Sequence, residues 1–296
     1  IGHRVVHGGE RFVESVLIAP EVEEGIAACA ELAPLHNPAA LAGIGAARQL
    51  FAGVPQVAVF DTAFHQTMPE RAFLYAIPRA LYEERGIRRY GFHGTSHRYV
   101  AQRSAALLGV ATEEFTGITC HLGNGCSLAA IEHGRSVDTT MGLTPLEGVA
   151  MGTRSGDVDP ALIFHLARSG MELADIERML LQESGLLGLS GHSQDMRELE
   201  VLALKGDRAA QMALDVLAYR VRKAIGALYA VLGRMDALVF TGGIGENSTF
   251  MRRRIVDGLG GFGLQLDAAR NRAHSNCEGE VSSFGAQVKI LVIPTN

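Results

Sequence analysis

The chain has 296 residues, of which 47% are hydrophobic and 20% are charged, and its formal net charge is −5. This composition is typical of a globular protein with enough length for two domains, and a negative charge without any basic run argues against a nucleic-acid partner. No apolar stretch is long enough for a membrane span, no signal peptide is recognisable, and the four cysteines form no CxxC pair. We therefore expect a cytoplasmic protein with free thiols and no membrane partner.

The first predicted strand covers residues 1–7, and strand alternation places Arg4 and Val6 on the same face. A cation beside an apolar side chain suits a small carboxylate, which needs a partner for its charge and one for its hydrocarbon tail. An edge strand with a solvated arginine explains the same pattern. Residues 1–7 alone favour the second interpretation.

The next two elements are a helix and a buried strand. Asn37 followed by Pro38 predicts a helix that begins with an Asn cap and ends near residue 52. The apolar run 56–60 predicts a strand that ends at Asp61. Open α/β sheets carry functional groups at this end of their strands, so Asp61 is either a catalytic carboxylate or the cap of the following segment.

A histidine-containing motif follows a connector predicted at residues 64–77. Ser96 is in a position to cap a helix that runs to about residue 108. His93 and His97 have the spacing of metal ligands on a helix, but no third ligand accompanies them and zinc is not favoured. His93 is better interpreted as a neutral or charged donor to an oxyanion near a helix N-terminus, or else as a core histidine.

The most informative stretch is residues 121–160. Strands are predicted at 118–122 and 126–131, joined by Gly123-Asn124-Gly125, which predicts a hairpin whose turn uses positive φ angles. Small and polar side chains are then frequent from Asp138 to Asp157, with Arg154 as their one cation. A buried core does not favour this composition, whereas a pocket for a polyanion does.

The last third of the chain predicts more helices and a glycine-rich turn. Residues 184–191 are predicted as a loop, followed by Asp195 and Arg197, which either face a nucleoside or form a surface pair. The longest helix is predicted at 207–233, with an apolar stripe for a core or a subunit interface. A strand at 237–240 leads into 241–247, whose glycines and following helix suit a phosphate or an adenosine.

Seven strings, in this order and spacing, resemble the acetate kinase family: HRVVHGGE, HNP, FDTAFH, GFHGTSH, HLGNGCS, MGLTPLEGVAMGTRSGDVDP and TGGIGENS. The resemblance implies an α/β fold of the actin, hexokinase and heat-shock chaperone superfamily, with two ribonuclease-H-like domains and a nucleotide cleft between them. Residues 1–65 would belong to an N-terminal domain and 66–296 would form a C-terminal domain for nucleotide binding and dimerisation. The implied reaction is reversible phosphoryl transfer between ATP and acetate, giving acetyl phosphate and ADP, with Mg²⁺ and a homodimeric enzyme.

The resemblance also implies the roles of individual residues. Catalysis and support of the transition state are implied for Arg4, His36, Asp61, His93 and Arg154. The acyl substrate would lie against Arg4, Val6, Leu35, Phe92 and Pro145. The nucleotide would lie against His121, Leu122, Gly123, Asn124, Gly125, Asp195, Met196, Arg197, Gly242, Gly243, Ile244, Gly245 and Asn247. Because acetate is already ionised at neutral pH, Asp61 is not needed as a base and is expected to orient a group or to hold Mg²⁺ through water.

Two segments that the resemblance implies are not in this sequence. Family members have a serine-rich phosphate-binding hairpin before the position of Ile1 and a glutamate that contacts Mg²⁺ after the position of Asn296. We therefore expect the sequence to cover only part of the protein, with an incomplete first domain and with the metal ligand just after Asn296. Two alternative functions remain: a propionate kinase, which differs in pocket volume, and an actin-like or chaperone-like conformational ATPase, which needs no carboxylate site.

Overall fold

In the computed structural model, which describes residues 1–34 and 36–295, the chain forms two separate β-sheets with helices packed against each. The strands are β1 (Gly2–Val5), β2 (Val16–Leu17), β3 (Val57–Phe60), β4 (Gly117–Leu122), β5 (Cys126–Glu132), β6 (Arg135–Thr139), β7 (Ala237–Thr241), β8 (Gly279–Glu280) and β9 (Lys289–Val292). The helices are α1 (Pro20–Ala28), α2 (Asn37–Leu50), α3 (Glu70–Phe73), α4 (Ala80–Arg85), α5 (Gly94–Leu108), α6 (Ala161–Arg168), α7 (Leu173–Gln182), α8 (Gly185–Ser190), α9 (Met196–Leu204), α10 (Arg208–Leu232), α11 (Gly242–Asn247), α12 (Thr249–Val256) and α13 (Ala268–Ala273). Short 3₁₀ segments lie at Ala63–Thr67, Thr112–Glu114 and Gly260–Phe262.

The small sheet has the strand order β1-β3-β2. Strand β1 runs parallel to β3, with Arg4 opposite Val59, whereas β2 is antiparallel to β3. Side chains of β1 and β3 form an apolar core with α1 and α2. Because β1 and β3 are parallel, their carboxyl ends lie at the same edge of the sheet, which brings Arg4 next to Asp61.

The large sheet has the strand order β6-β5-β4-β7-β9-β8. Its centre is formed by the parallel strands β4, β7 and β9. Strand β5 pairs antiparallel with β4, β6 with β5, and β8 with β9. One face of β4 places Ile118, Cys120 and Leu122 in the main core with α10, and the other face places Thr119 and His121 toward α5. Helices therefore cover both faces of this sheet, which explains why its central strands are apolar on both sides.

Helix α10 forms the centre of the main core. It has 25 residues, begins after Asp207, whose carboxylate accepts a hydrogen bond from Ala210 N, and ends at Gly233, which has a positive φ. The predicted helix at 207–233 is therefore confirmed. Its predicted apolar stripe is buried at most positions, but Val231 is 53% exposed. Within residues 1–34 and 36–295, no helix combines the length and the apolarity needed to cross a membrane.

Four local predictions are wrong, and for the two predicted caps the reason is that tertiary contacts replace the local ones. Asn37 does not cap α2, since its buried amide bonds the backbone of His7 and Ile26 instead. Ser96 does not cap α5, which begins two residues earlier, and its hydroxyl bonds His121. The predicted loop at 184–191 contains helix α8, and the glycine turn after β7 is itself a helix, α11.

The predicted domain boundary at residue 65 falls within the 3₁₀ segment Ala63–Thr67, between the strands of the two sheets. His65 is fully buried there. Its Nε2 donates to the carbonyl of Phe92 and its Nδ1 bonds Ser136 of β6. This segment is thus fixed against the large sheet, and the boundary itself stays a prediction.

A buried arginine holds the glycine-rich segment after β7. Arg252 of α12 is fully buried, and its Nη1 donates to the carbonyls of Gly245 and Glu246 at 2.8 and 2.7 Å. Its Nε donates to Asn271 Oδ1 at 2.7 Å. Burial lowers the pKa of Arg252 to about 10, so the group is still charged at neutral pH. It supplies donors to carbonyls near the end of α11 that have no partner within this short helix.

We expect Arg252→Met to lower the free energy of unfolding by about 3 kcal/mol, because several buried carbonyls and one amide lose their donor. Arg253→Met is the matched control, since Arg253 is the next residue of α12 and is exposed. Its change should stay within about 0.5 kcal/mol. Urea unfolding of both variants measures the difference, and equal stabilities would contradict the role given to Arg252.

Candidate active site

A cavity of about 730 Å³ separates the two sheets at the carboxyl ends of β1 and β3. Its lining residues from the small sheet are Gly2, His3, Arg4, Val59 and Asp61. From the other side it is lined by His93, Thr95, Ser96, Tyr99, His121 and Thr295. We call it the first cavity.

Arg4 and Asp61 form a two-point ion pair at this edge. Nε of Arg4 donates to Oδ1 of Asp61 at 3.0 Å, and Nη2 donates to Oδ2 at 2.6 Å. The carboxylate side chain is only 4% exposed, whereas the arginine side chain is 68% exposed. The pair therefore neutralises a buried carboxylate and leaves the outer face of the guanidinium open to an anion in the cavity. Asp61 is not the cap of the following 3₁₀ segment, which begins after Thr62.

His93 lies directly before α5 with a φ of 56°, a left-handed conformation that is uncommon for a residue other than glycine. The next residue, Gly94, donates its N–H to the carbonyl of Asp61 at 2.8 Å, and a Cβ at Gly94 would overlap that oxygen. Asp61 thereby positions both Arg4 and the start of α5. His93 lies at the helix N-terminus, as predicted.

The imidazole of His93 is neutral at physiological pH. Its pKa lies well below the ordinary value, because burial disfavours the charged ring and because His121, Arg4 and Arg154 add positive charge nearby. His93 stacks on His121 with ring centroids 4.2 Å apart. Burial, with a contribution from Arg4, also lowers the pKa of His121 to about 4. Of the two forms that the sequence left open for His93, the geometry favours the neutral donor.

The predicted hairpin is present: β4 and β5 are antiparallel, with Leu122 opposite Cys126. The prediction of positive φ angles in its turn is wrong, since none of the residues 123–125 has one. The tip is instead held from outside, where Gly152 N donates to the carbonyl of Asn124 at 3.0 Å. A Cβ at Gly152 would overlap the Asn124 side chain, which explains the glycine.

Arg154 is the second cation near the tip. Its Nη1 donates to the carbonyl of Pro145 at 2.8 Å, and it makes no ion pair with any described residue. Burial lowers the pKa of Arg154, although an arginine remains charged at neutral pH. A Cβ built on Gly125 would lie 3.4 Å from His93 Nε2 and 3.5 Å from Arg154 Nη1. The neutral ring and the unpaired cation therefore flank the same glycine.

A second cavity of about 610 Å³ lies on the other side of the tip. Its lining residues are Gly123, Asn124, Gln194, Asp195, Met196, Arg197, Glu200, Gly243, Ile244, Asn247 and Ser248. Asp195 caps α9 through Arg197 N, and its carboxylate also pairs with the Arg197 guanidinium at 2.5 Å. The interpretation of Asp195 and Arg197 as a pair is confirmed, whereas their contact with a nucleoside stays a prediction; both residues line this cavity.

Some predicted nucleotide residues lie elsewhere. His121 lines the first cavity, not the second. The side chain of Leu122 is buried in the main core, so only its backbone is near the tip. Gly242 and Gly245 are buried parts of α11, behind Gly243.

The predicted acyl-pocket residues are only partly brought together. Val6 packs against the main core, to which Phe92 also belongs, and the carbonyl of Pro145 holds Arg154. Leu35 lies outside the described residues. His36 is exposed at the start of α2 and lines neither of the two cavities.

Sequence reasoning missed two groups of buried polar residues. Both ring nitrogens of His97 contact hydroxyl groups, Nδ1 that of Thr119 and Nε2 that of Ser127. The described residues contain no cluster of three or more metal-ligating side chains. The Glu246 carboxylate accepts hydrogen bonds from Gly242 N and from Thr295 N, each at 2.9 Å. The only sequence signal for these residues was a polar side chain at an otherwise apolar position.

Comparison with known proteins gives a consistent result. A model of the acetokinase family matches residues 1–296. The chain belongs to the acetokinase family. An acetate kinase of Methanosarcina acetivorans is 54% identical over 297 residues, which cover the whole chain and 72% of the relative. An acetate kinase of Shouchella clausii is 53% identical, with 75% of the relative covered.

Solved acetokinase structures confirm the predicted fold class. The crystal structure of Porphyromonas gingivalis acetate kinase matches with a TM-score of 0.96 and 45% identity, over the whole chain and 74% of that structure. A propionate kinase from Francisella tularensis matches with a TM-score of 0.95 and 48% identity, with 76% of that structure covered. The acetokinase chain therefore has the two-domain α/β fold of the superfamily that the resemblance implied.

The buried histidines predict a pH-dependent stability. Burial lowers the pKa of His7, His65 and His121 to about 4, and those of His93 and His97 lie well below the ordinary value. In the unfolded chain these residues titrate near 6.5, so the unfolded state binds protons between about pH 6.5 and 4 that the folded state does not. Stability should thus be highest above pH 6.5 and should fall as the pH decreases.

Between pH 7 and 5.5 we expect a loss of about 1 kcal/mol for each of these histidines, or on the order of 5 kcal/mol in all. Urea unfolding at the two pH values measures it, and a constant slope against urea is the control for an unchanged unfolding transition. A free energy of unfolding that does not change over this interval would show that these histidines bind protons equally in the folded and unfolded states, and that burial does not lower their pKa.

Proposed function

We propose that the chain is the main part of an acetate kinase that transfers a phosphoryl group reversibly between ATP and acetate. The observation that carries this proposal is the pair of cations at the hairpin tip: Arg4, held by Asp61, and Arg154, which has no carboxylate partner among the described residues. A transferring phosphoryl group spreads negative charge over three oxygens, and positioned donors do most of the catalysis. The family relatives named acetate kinase agree with this choice.

The two cavities suggest how the substrates lie. The nucleoside is proposed to occupy the second cavity, against Asp195, Arg197 and the glycines of α11, with its phosphates directed over the hairpin tip. The acid is proposed to enter the first cavity, its carboxylate at Arg4 and its methyl group toward Val6 and Phe92. The terminal phosphoryl group then lies between Arg154 and the neutral His93, which donates a hydrogen bond to it. No general base is needed, because the acid is already ionised.

Mg²⁺ is proposed to accompany the nucleotide. Magnesium ions in kinases are held by one or two carboxylates together with substrate phosphates, and no dedicated protein cage is needed. Asp61 lines the first cavity, and because its carboxylate is already paired with Arg4, it is proposed to contact the ion only through water. When bound, the ion would neutralise phosphate charge, and Asp61 would hold it through water.

Two further features belong to the proposal. Apolar side chains of the second part of the chain, such as Leu204, Met212 and Tyr219, are more than half exposed and support a homodimer, which sedimentation would detect.

All four cysteines, Cys29, Cys120, Cys126 and Cys277, are free thiols, which supports a reducing cytoplasm as the location.

The direct test is phosphoryl transfer with acetate, propionate and butyrate as acceptors. Acetate should give the highest specificity constant. The propionate kinase relative makes propionate the second candidate. ATP hydrolysis that none of the acids stimulates would instead favour a conformational ATPase.

Arg154→Leu should reduce kcat/KM on the order of a hundredfold, about 3 kcal/mol, because a charge-assisted contact to the phosphoryl group is lost. Arg4→Leu should act similarly, with a larger effect on the KM for acetate. Arg168→Leu, an exposed arginine of α6, is the matched control and should leave turnover unchanged. A folded Arg154→Leu enzyme with wild-type turnover would assign the phosphoryl role to another residue.

Val6→Ala should improve the use of propionate relative to acetate by about 1 kcal/mol, or roughly fivefold, since about one methylene of room is created. The measurement is the ratio of the two kcat/KM values. Val16→Ala, at the partly buried strand β2, truncates a valine that packs against the core of the small sheet and serves as the control. An unchanged ratio in Val6→Ala would remove Val6 from the pocket.

A further inference from the structure

A chain of buried hydroxyl and imidazole groups leads to His93. Thr119 Oγ1 lies 2.7 Å from His97 Nδ1, His97 Nε2 lies 2.8 Å from Ser127 Oγ, and Ser127 Oγ lies 2.8 Å from His93 Nδ1. Thr119, His97 and Ser127 are fully buried. Thr119, His97 and Ser127 belong to β4, α5 and β5, and His93 directly precedes α5. We call these four residues the hydroxyl–histidine chain.

The chain restricts where its protons lie. A neutral imidazole has one N–H and one lone pair, and a hydroxyl has a single proton to donate. Ser127 contacts a ring nitrogen of each histidine, so when it donates to one of them it accepts from the other. The tautomers of His93 and His97 are therefore coupled, and both rings are neutral because burial lowers their pKa.

Three proton arrangements make all three contacts, and the phosphoryl group distinguishes them. In the first, Thr119 donates to His97 Nδ1, His97 Nε2–H donates to Ser127, and Ser127 donates to His93 Nδ1, which leaves an N–H at His93 Nε2. In the second every donor is reversed, and in the third both histidines donate to Ser127, so that His93 Nε2 carries a lone pair in each and one hydroxyl proton has no acceptor within the chain. Phosphoryl oxygens only accept hydrogen bonds, so the first arrangement is attractive and the other two are repulsive. Nε2 is the ring nitrogen that flanks Gly125 beside Arg154.

We propose that Thr119, His97 and Ser127 are positioning residues that hold the neutral His93 in its Nε2–H tautomer, so that it donates to the transferring phosphoryl group. This inference rests on the proposed role of His93 in phosphoryl transfer. The arrangement holds a neutral donor in one tautomer and orientation, as the carboxylate of a catalytic triad holds its histidine. No group in the chain needs to gain or lose a net proton during the reaction.

His65 is a second buried histidine whose tautomer is determined by its hydrogen-bond partners. A carbonyl can only accept, so the 3.0 Å contact between His65 Nε2 and the carbonyl of Phe92 places the proton on Nε2. Ser136 Oγ, 2.7 Å from Nδ1, must then be the donor. The peptide directly before His93 is thereby anchored, which helps to keep His93 in its left-handed conformation.

The first test reads the tautomer directly. The whole chain is labelled with ¹⁵N-histidine and studied by two-bond ¹H–¹⁵N NMR with ADP, Mg²⁺, acetate and aluminium fluoride, a mimic of the transferring phosphoryl group. The His93 signal is identified by its loss in His93→Asn. An Nε2–H tautomer supports the proposal, and an Nδ1–H tautomer or an imidazolium ion overturns it.

The second test breaks the chain at Ser127. Ser127→Ala should give a mixture of His93 tautomers and a kcat lower on the order of ten- to a hundredfold, with KM values changed less than about threefold. Ser127→Thr keeps the hydroxyl and should restore both readouts. Thr119→Val, which removes only the first hydroxyl, should have a smaller effect in the same direction. Unchanged tautomer and kcat in Ser127→Ala would overturn the proposal.

Ser104→Ala is the matched control, because Ser104 is also a fully buried serine, and its hydroxyl donates within α5 to the carbonyl of Val100 at 2.6 Å. It should leave the His93 signal unchanged. If Ser127→Ala does not fold, the wild-type spectrum and Ser127→Thr still decide. A chain that transfers no phosphate to acetate would contradict the proposed function, while the tautomer in the ADP and aluminium fluoride complex is measured without turnover.

Discussion

The geometry of the site depends on Asp61, which joins three parts of the molecule through separate groups. Its N–H donates to the carbonyl of Val5, its carboxylate holds Arg4 from two directions, and its carbonyl accepts from Gly94 N at the start of α5. The first two contacts lie within the small sheet and its edge. The third contact is with α5, a helix that packs against the large sheet. A buried carboxylate is costly unless it is paired, so the ion pair and the position of α5 are established together.

The charge balance around the hairpin tip explains why its histidines are neutral. Arg4 and Arg154 both lie near His93, and a protonated ring there would repel them in a region that is poorly hydrated. Two cations and a neutral donor still give a strong attraction for a polyanion, and a neutral imidazole requires a defined tautomer to act as a donor. The buried hydroxyls of the large sheet define that tautomer. A charged histidine has a proton on both ring nitrogens and would not need them.

The sequence predicted features that local chemistry determines, and it failed where distant residues compete. The hairpin, Asp61 at a strand end, His93 before a helix and the long helix α10 all follow from spacing and turn residues. The caps assigned to Asn37 and Ser96 were wrong, because each side chain has a better partner from another element. Ser127 and the hydrogen-bonding role of His97 were missed for the same reason, since their partners come from different elements and no periodicity reveals them. Reasoning from the residues placed the site, whereas most individual roles came from the family resemblance.

The hairpin tip lies between Gly243, which lines the second cavity, and His93, which lines the first. A Cβ on Gly123 would lie 3.9 Å from Gly243 N, on the side of the second cavity, and one on Gly125 would lie 3.4 Å from His93 Nε2. Because the two glycines are separated only by Asn124, the nucleotide proposed to lie against α11 would have its phosphates within reach of His93 and Arg154. In-line transfer requires the donor and acceptor oxygens to lie on opposite sides of the phosphorus atom. With the nucleotide and the acid in their proposed cavities, the narrow tip would place the donor and acceptor oxygens on opposite sides of the phosphoryl group. Larger side chains at residues 123 and 125 would occupy the space between the two cavities.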